Sequence, residues 1–362
     1  MKIIFICTKS ITFNTFLYQQ AEYFIKKGLQ VEVACADIKY LNFKKNLKHK
    51  IDFPNKIVDL LNLIRYIKIF IQINKLVKKN ISAIFYLHTP VASHLFRLFT
   101  FFYKLKIIYF VHGFRFATQS PSIKNFFFKI IEKILSLKTD IFITINNYDY
   151  NYIKSNSTKR FLYYKVNGVG LNLPSNHFNE KIKNKKKIKK ILVISAYKKE
   201  KGYLDILKVA QILKHKKIKI NCYGYGSFKN FKVLKIKNAV HNISFKKFDV
   251  NLIKKINNFD ILLHLSKREG LPVAVMEALS QGLPVICYNI RGNNDLIKDK
   301  FNGYFVSSFK DVYSKILYLN LEEDVFNQMR FNAFRSIDKS FSKKKINLNI
   351  YKIIKNYLKN FK

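Results

Sequence analysis

The sequence predicts an α/β protein made of two lobes, each a doubly wound parallel sheet. Three observations indicate this fold. The chain has 362 residues, enough for two domains that each bury a core. Short apolar runs of strand length alternate with longer helical patterns along most of the chain. A lysine-rich linker at 173–190 interrupts this alternation, which predicts lobes over 1–172 and 191–340 and a final helix over 341–362.

In the first lobe, each predicted strand is a short, mainly apolar run. The six strands are predicted at Lys2 to Cys7, Gln30 to Ala36, Ile81 to Leu87, Lys106 to Val111, Asp140 to Ile145 and Arg160 to Val166. A helix over Phe16 to Lys27, which Gly28 ends, separates the first two strands and implies that they pair in parallel. Residues 57–79 are predicted as a helix, whereas residues 39–56 are basic and predicted as irregular.

The second lobe shows the same alternation. Its strands are predicted at Ile191 to Ser195, Lys219 to Tyr223, Ile243 to Phe245 and Asp260 to Leu265. One helix is predicted near Tyr203 to Leu213, and the last helices are predicted from about Asp324 to Phe361.

One stretch, from Ser266 to Leu279, has the features of a ligand site. It follows a predicted buried strand, Gly270 permits a sharp turn, and Pro272 suits the first position of a helix. Glu269 is therefore predicted in a loop at the carboxyl end of a strand, and Glu277 on the helix that follows. In open α/β sheets, this end of the strands is where ligands bind, and the amides at a helix start suit an anion.

Together with the residues after it, this stretch resembles glycosyltransferase family 4, whose signature is two glutamates separated by seven residues in a strand, loop and helix. Three further segments are similar to the family: Asn167 to Asn172, Leu283 to Asn293 and Asn302 to Val306. The resemblance implies the GT-B fold, in which two Rossmann-like lobes face a cleft and the final helix packs back on the first lobe. The alternative interpretation is that Glu269 is a solvated side chain and that Glu277 lies on the surface of an ordinary helix.

The resemblance also implies roles for individual residues of the second lobe. Glu277 is expected to accept hydrogen bonds from a ribose, since a carboxylate offers two acceptor oxygens to a vicinal diol. Glu269 is expected to lie near the hydroxyls of the transferred sugar and to be catalytic, and Lys201 is expected to neutralise a diphosphate. Many relatives have an arginine near Ala196, for which Lys198 or Lys199 is a possible replacement. The donor-binding residues expected in this lobe are Lys198, Lys201, Gly270, Leu271, Val273 and Glu277.

In the first lobe, the resemblance points to residues that follow predicted strands. His112 corresponds to a histidine beside the donor sugar and phosphate, and we expect it to be catalytic. Ser10 lies where relatives have a loop over the diphosphate, although the usual glycines are absent here. His88 corresponds to a position on the acceptor side, and a core or loop histidine is an equally good interpretation.

Family 4 enzymes retain the anomeric configuration, and the resemblance implies same-face attack assisted by the leaving phosphate. No protein nucleophile is then needed, so the site works by positioning and electrostatics. The chain has no Asp-x-Asp sequence and no His/Cys cluster with ligand spacing. We therefore expect neither a cofactor nor a metal ion, with lysines and helix amides balancing the phosphate charge.

The net charge of +45 predicts attraction to anionic surfaces. From Ser122 to Lys138, apolar residues recur at helical spacing with lysines among them, which is typical of a basic amphipathic helix at a lipid interface. Leu95 to Lys106 is similar, and burial in the first lobe is the alternative for both segments. No apolar run reaches the ~20 residues of a membrane span, and Met1 to Cys7 is too short for a signal peptide.

The charge and the amphipathic segments predict a cytoplasmic, peripherally membrane-bound protein. The resemblance implies an enzyme that transfers sugar from a UDP-sugar donor to a lipid-linked saccharide. The resemblance places it in bacterial capsule, O-antigen or exopolysaccharide synthesis. A sugar-nucleotide epimerase of the same fold is one alternative. A basic nucleic-acid-binding protein is another, but charge alone supports it and we expect no nucleic-acid partner.

Overall fold

The computed structural model describes residues 1–54, 63–116, 123–156, 161–173, 183–226, 241–249 and 251–359. The chain divides into two compact units. The N-terminal unit is Met1–Gly170 together with Lys343–Lys362, and the C-terminal unit is Leu171–Ser342. Each unit has its own hydrophobic core and its own parallel sheet, so the predicted fold class is confirmed.

The N-terminal unit contains a sheet whose seven described strands all pair in parallel, in the order β3-β2-β1-β4-β5-β6-β7. These strands are β1 (Lys2–Ile6), β2 (Gln30–Cys35), β3 (Lys48–Lys50), β4 (Ile84–His88), β5 (Lys106–Val111), β6 (Ile141–Thr144) and β7 (Leu162–Lys165). The central strands are buried on both faces because parallel pairing needs crossover segments that cover the sheet. The strand order reverses between β1 and β4, which makes their carboxyl ends a switch point.

Helices cover this sheet, and the helix that completes the unit comes from the far end of the chain. The described α-helices before the C-terminal unit are α1 (Ser10–Thr12), α2 (Tyr18–Lys26), α3 (Leu63–Lys79), α4 (Pro90–Phe99), α5 (Ile123–Ser136) and α6 (Asn147–Ser155), and a π-helical segment, Phe13–Leu17, joins α1 to α2. The last helix of the chain, Lys343–Lys359, packs against α2. There the Tyr351 ring contacts the rings of Tyr23 and Phe24.

The C-terminal unit contains a second parallel sheet, in the order β10-β9-β8-β11-β12-β13. Its described strands are β8 (Lys190–Ile194), β9 (Lys219–Gly224), β10 (Ile243–Lys247), β11 (Ile261–His264), β12 (Val285–Tyr288) and β13 (Gly303–Val306). Its described helices are α7 (Tyr203–Ile212), α8 (Val273–Ser280), α9 (Asn293–Leu296), α10 (Phe309–Leu321) and α11 (Glu323–Arg335), and we label Lys343–Lys359 α12. The order reverses between β8 and β11, so the loops after these two strands lie at the switch point.

Strand β3 corrects the sequence analysis, which predicts residues 39–56 as irregular. It pairs with the edge of β2, and His49 Nε2 lies 2.7 Å from Glu32 Oε2 on that strand. The strand consists of Lys48, His49 and Lys50. It has no apolar residue, so no hydrophobic period could reveal it.

The structure adds detail to the predicted linker and to the predicted last helices. Part of the predicted linker packs on the C-terminal unit, since Lys185 Nζ lies 2.7 Å from Asp260 Oδ1 and the Ile188 side chain is buried. Residues 174–182 of the predicted linker lie outside the described residues. Residues 57–62 of the helix predicted over 57–79 also lie outside them. The predicted last helices are α11 and α12, and the turn Lys339–Phe341 separates them.

Helices α4 and α5 are joined by a buried polar cluster. Glu132 Oε1 of α5 accepts a hydrogen bond from Arg97 Nη1 of α4 at 2.6 Å, and Glu132 Oε2 lies 2.8 Å from His94 Nε2. The carboxylate and the guanidinium are both buried. Burial raises the pKa of Glu132, but Arg97 and His94 outweigh it and hold this pKa at about 2. One face of α5 is thereby held against α4.

The opposite face of α5 is apolar and exposed. This face therefore lies outside the core of the N-terminal unit. The Phe126 and Phe127 side chains are 61% and 58% exposed. Ile130, Ile131 and Ile134 are exposed beside them. The segment Leu95 to Lys106 differs, because Phe96 is buried in the core and only Leu98 and Phe102 are exposed large apolar residues. In the described part of the chain, no helix is both long and apolar enough to cross a membrane.

Candidate active site

The candidate site of the C-terminal unit lies where β8 and β11 end. The loop after β8 leads through the turn Lys199–Lys201 and Gly202 into helix α7. The loop after β11 leads through Glu269 and Pro272 into helix α8. The prediction that the helix starts at Pro272 is off by one residue, since Pro272 is the N-cap and α8 begins at Val273.

An ion pair joins the two loops. Lys201 Nζ donates a hydrogen bond to Glu269 Oε1 over 2.6 Å, and both side chains are largely buried. On the other side, Nε2 of the buried His264, the last residue of β11, lies 3.4 Å from the same oxygen. Residues that are 68 positions apart in the sequence therefore meet at one carboxylate.

The surroundings of Glu269 keep it ionised. Burial by itself raises the pKa of this carboxyl, because an apolar environment disfavours the charged form. The neighbouring imidazole of His264 and the ammonium of Lys201 outweigh burial and hold the pKa of Glu269 at about 2. Near neutral pH, Glu269 is consequently a hydrogen-bond acceptor and a fixed negative charge, with no proton to donate.

Close backbone packing sets the spacing between the two loops. Lys267 N donates to Glu200 O over 2.9 Å. Gly202 has φ +77°, and a Cβ there would lie 1.9 Å from Leu265 O. Only glycine permits this approach, which places the adjacent Lys201 within reach of Glu269.

A third loop, after β12, contacts the backbone of the same site. Arg291 Nε donates to Glu269 O over 2.8 Å. The next residue, Gly292, has φ +82°, and a Cβ there would lie 2.2 Å from Gly270 O. The loops after three neighbouring strands of the sheet thus fix the position of Glu269.

Two helices begin at this edge of the sheet and present their amino termini there. Helix α7 begins two residues after Lys201, and α8 begins four residues after Glu269. Helix amino termini carry a partial positive charge and N–H groups that suit anions. The half-buried Glu277 lies on α8, and its carbonyl accepts a hydrogen bond from Ser280 Oγ at 2.8 Å. The site therefore combines cationic and amide donors with two carboxylates.

In the N-terminal unit, the predicted residues also lie at the carboxyl edge of the sheet. His112 follows β5, is partly exposed, and its Nε2 lies 3.0 Å from Nδ1 of His88 at the end of β4. Ser10 is buried, and its backbone N–H donates to Asp37 Oδ1 at 2.6 Å. The role of Ser10 stays a prediction, with its amide already engaged by Asp37.

Two family models match this chain. A model described as glycosyl transferases group 1 matches residues 175–334, and one described as glycosyl transferase 4-like matches residues 2–146. The protein is a GT-B glycosyltransferase. These matches favour the transferase over the epimerase and the nucleic-acid-binding protein considered from the sequence.

Relatives of this glycosyltransferase include a Staphylococcus aureus protein named capsular polysaccharide biosynthesis glycosyltransferase CapM. It is 24% identical over 356 residues, which cover 89% of each chain. An Escherichia coli enzyme, UDP-Gal:alpha-D-GlcNAc-diphosphoundecaprenol alpha-1,3-galactosyltransferase, is 36% identical over 84 residues, which cover 23% of this chain and 22% of that one. Among solved structures, Anabaena Alr3699/HepE in complex with UDP-glucose matches with a TM-score of 0.72 and 15% identity, over 98% of this chain and 100% of that chain.

The structure of the glycosyltransferase brings together most residues predicted for the second lobe. Lys201 and Glu269 are in contact, and Gly270, Leu271 and Val273 form the entry to α8 that carries Glu277. Lys198 is exposed at the start of the Lys199–Lys201 turn, whereas Lys201 at its end is the lysine that contacts Glu269. The functional role of each of these residues stays a prediction.

Sequence reasoning missed two residues that the structure adds to the site of this glycosyltransferase. His264 is the last residue of β11, five residues before Glu269. A histidine at the carboxyl end of a predicted buried strand is the feature of the sequence that could have indicated it. Arg291 precedes Gly292 in the turn after β12. The glycine indicated a loop in the sequence, but nothing indicated the contact of Arg291 with the Glu269 carbonyl. Neither contact could be predicted, since each depends on how two loops pack.

We predict that Gly202→Ala destabilises the C-terminal unit more than Gly226→Ala does. Both glycines have positive φ, +77° and +104°, so alanine is strained at either position. At Gly226 the nearest atom to a new Cβ is 3.6 Å away, whereas at Gly202 it is 1.9 Å away. Left-handed backbone strain costs roughly 1–2 kcal/mol, and the overlap with Leu265 O adds to it only in Gly202→Ala. Urea unfolding followed by circular dichroism measures both losses, and equal losses would contradict the packing argument.

Proposed function

We propose that this glycosyltransferase transfers a sugar from a UDP-sugar donor to a lipid-linked saccharide, with retention of configuration, in bacterial surface-polysaccharide synthesis. The observation that carries the proposal is the Lys201–Glu269 ion pair, which lies at the switch point of the sheet beside the starts of α7 and α8. The relatives named above support the donor and the pathway by similarity, since their names or bound ligands include UDP-glucose, UDP-Gal and capsular polysaccharide.

The charges of the site suit a nucleotide diphosphate. Lys201 supplies a positive charge immediately before α7, whose amino terminus adds N–H donors. As the bond between the sugar and the diphosphate breaks, negative charge grows on the leaving phosphate. A fixed ammonium and fixed dipoles stabilise that charge without reorganisation during the reaction.

Glu269 and Glu277 are assigned to different parts of the donor. The ionised Glu269, held by Lys201, accepts hydrogen bonds from hydroxyls of the transferred sugar and favours positive charge developing on its ring. Glu277, one turn into α8, binds the ribose diol. The acceptor hydroxyl attacks the face from which the phosphate departs, and its proton passes to the leaving phosphate oxygen. Glu269 is then neither an acid nor a nucleophile in this reaction.

A membrane-bound acceptor fits the exposed apolar face of α5. The side chains of Phe126, Phe127 and Ile130 point away from the face that Glu132 and Leu135 bury. Lys124, Lys129 and Lys133 are exposed on the same helix and supply the charge that anionic lipid headgroups attract. Helix α3 adds exposed Ile64, Ile67 and Phe70, and it contacts α4, which in turn contacts α5. We therefore propose that these helices form a peripheral membrane-binding surface.

The two glutamates should fail differently on substitution. The ribose changes little during the reaction, so Glu277→Gln should weaken UDP and UDP-sugar alike and raise KM more than it lowers kcat. A hydrogen bond to a charged group is worth roughly 1.5–3 kcal/mol, so the loss of affinity should be about tenfold or more. Glu269→Gln should lower kcat strongly and leave UDP affinity nearly intact, because Gln still offers Lys201 an acceptor oxygen.

Calorimetric titration of UDP measures the change in affinity. Turnover is measured with the sugar nucleotide identified by screening a panel of such donors. Glu323→Gln, at an exposed carboxylate of the same unit, is the matched control and should behave as wild type. Loss of UDP binding in Glu269→Gln but not in Glu277→Gln would reverse the two assignments. Wild-type behaviour of both variants would disprove the proposed donor site.

We propose that turnover needs no divalent metal ion. The positive charges of Lys201 and of the α7 amino terminus take the place that a metal has in other transferases. Turnover in excess EDTA should then equal turnover in buffer with Mg²⁺. An activity that EDTA abolishes and that Mg²⁺ or Mn²⁺ restores would contradict this prediction.

Replacing Phe126, Phe127 and Ile130 together with Ser should release the protein from vesicles of phosphatidylglycerol and phosphatidylcholine. Each apolar side chain stabilises the bound state by up to about 1.5–3 kcal/mol if it is fully buried in lipid, so binding should fall at least about tenfold. Raised salt should weaken wild-type binding too, because charges are screened within ~10 Å at 0.1 M salt.

The matched control replaces Tyr318, Leu321 and Phe331 with Ser, since these are exposed large side chains of the C-terminal unit. Co-sedimentation measures binding, and circular dichroism checks that each variant is folded. Unchanged binding of the α5 variant would place the membrane surface elsewhere. Unfolding of that variant alone would mean that its apolar face is core.

A further inference from the structure

Two histidines of the N-terminal unit form a direct contact that the predicted roles leave unused. Strands β4 and β5 are neighbours in the sheet, with His88 opposite Phe110. His112 follows β5 by one residue and therefore lies beside the end of β4. His88 Nδ1 and His112 Nε2 are 3.0 Å apart, a hydrogen-bond distance in which one nitrogen carries the proton and the other accepts it.

The two rings have different surroundings. His88 is fully buried, stacked on Phe5 with ring centroids 5.5 Å apart and packed edge-on against Tyr86. His112 is partly exposed at the edge of the sheet. Burial lowers the pKa of His88 well below its usual value and the pKa of His112 to about 4. Tyr86 is the other titratable group packed on His88, and burial raises its pKa, so it too is uncharged. Both imidazoles are neutral near pH 7, and each carries a single proton.

The surroundings of His88 decide which ring donates. Within the described residues, His88 Nε2 is buried and has no hydrogen-bond partner. If His112 donated from Nε2, the proton of His88 would be on its own Nε2, as a buried N–H without an acceptor. An orphaned buried N–H is rarer and costlier than an unfilled acceptor lone pair. The proton in the contact therefore belongs to His88 Nδ1, and His112 Nε2 accepts it.

We infer that His88 is a positioning residue that fixes His112 in the tautomer protonated at Nδ1. His112 then presents a neutral N–H donor at Nδ1, while His88 occupies the lone pair on Nε2. Such a group stabilises an oxygen acceptor, either a sugar hydroxyl or a phosphate oxygen, and does not act as a general base. The catalytic use of this donor rests on the proposed function, but the tautomer does not.

Long-range nitrogen–proton correlations in [¹⁵N]histidine-labelled protein report which ring nitrogens are protonated. Loss of a signal in His112→Gln assigns His112. We expect wild-type His112 to be protonated at Nδ1 and bare at Nε2. In His88→Phe, which keeps an aromatic ring against Phe5 but has no donor, the proton of His112 should redistribute to Nε2. In His88→Asn, whose amide can donate near the position of Nδ1, the wild-type tautomer should persist.

The second measurement is of kcat and KM, with the sugar nucleotide identified by screening the panel of donors. His88→Phe should lower kcat about 10–100-fold with little change in KM, as expected for the loss of a well-placed hydrogen bond. His88→Asn should recover much of this loss, and adding His88→Phe to His112→Gln should cost little more. Recovery in His88→Asn separates positioning from a merely structural role.

A wild-type spectrum with His112 protonated at Nε2 overturns the inference without any variant, so it stays testable even if His88→Phe does not fold. A tautomer that His88→Phe leaves unchanged also overturns it. The expected tautomers with no turnover of any sugar nucleotide would uphold the histidine pair and reject the proposed function instead.

Discussion

A carboxylate that stays ionised while largely buried, Glu269, imposes demands that the loops of the C-terminal unit meet. Taking a charge out of water costs several kcal/mol unless a partner compensates. Lys201 is that partner, and it reaches Glu269 only because Gly202 lets one loop pack on the end of β11. Arg291 holds the Glu269 backbone from a third loop. The stability of these loops and the electrostatics of the site therefore depend on the same contacts.

Most of the fold could be predicted because parallel strands are buried on both faces. Such strands are short apolar runs, and the predicted run Lys106 to Val111 coincides with β5. The failures lie where burial does not shape the sequence. Strand β3 is three polar residues at the edge of the sheet, held by pairing with β2. A lysine-rich composition likewise gave no sign that the end of the predicted linker is held by the ion pair of Lys185 with Asp260.

The residues of the candidate site could be predicted from local patterns, but the contacts between distant residues could not. Glu269, Gly270 and Glu277 share one strand, loop and helix, and the pattern of these residues is visible in the sequence. The contacts of Lys201 with Glu269, and of His88 with His112, join segments that are distant in the sequence. No local pattern encodes such contacts, because they follow from strand order and register. Which face of α5 is buried was likewise open until the structure placed Glu132 on the inner face.

The N-terminal unit is completed by α12, which the ribosome makes after the whole C-terminal unit. After Gly170 the ribosome synthesises the 172 residues from Leu171 to Ser342 before it reaches α12. At about 5–20 residues per second, their synthesis takes on the order of 10–30 s. During that interval Tyr23 and Phe24 lack the cover that Tyr351 gives them. The C-terminal unit is contiguous in the chain, so all of its residues are available for folding before α12 exists to complete the N-terminal unit.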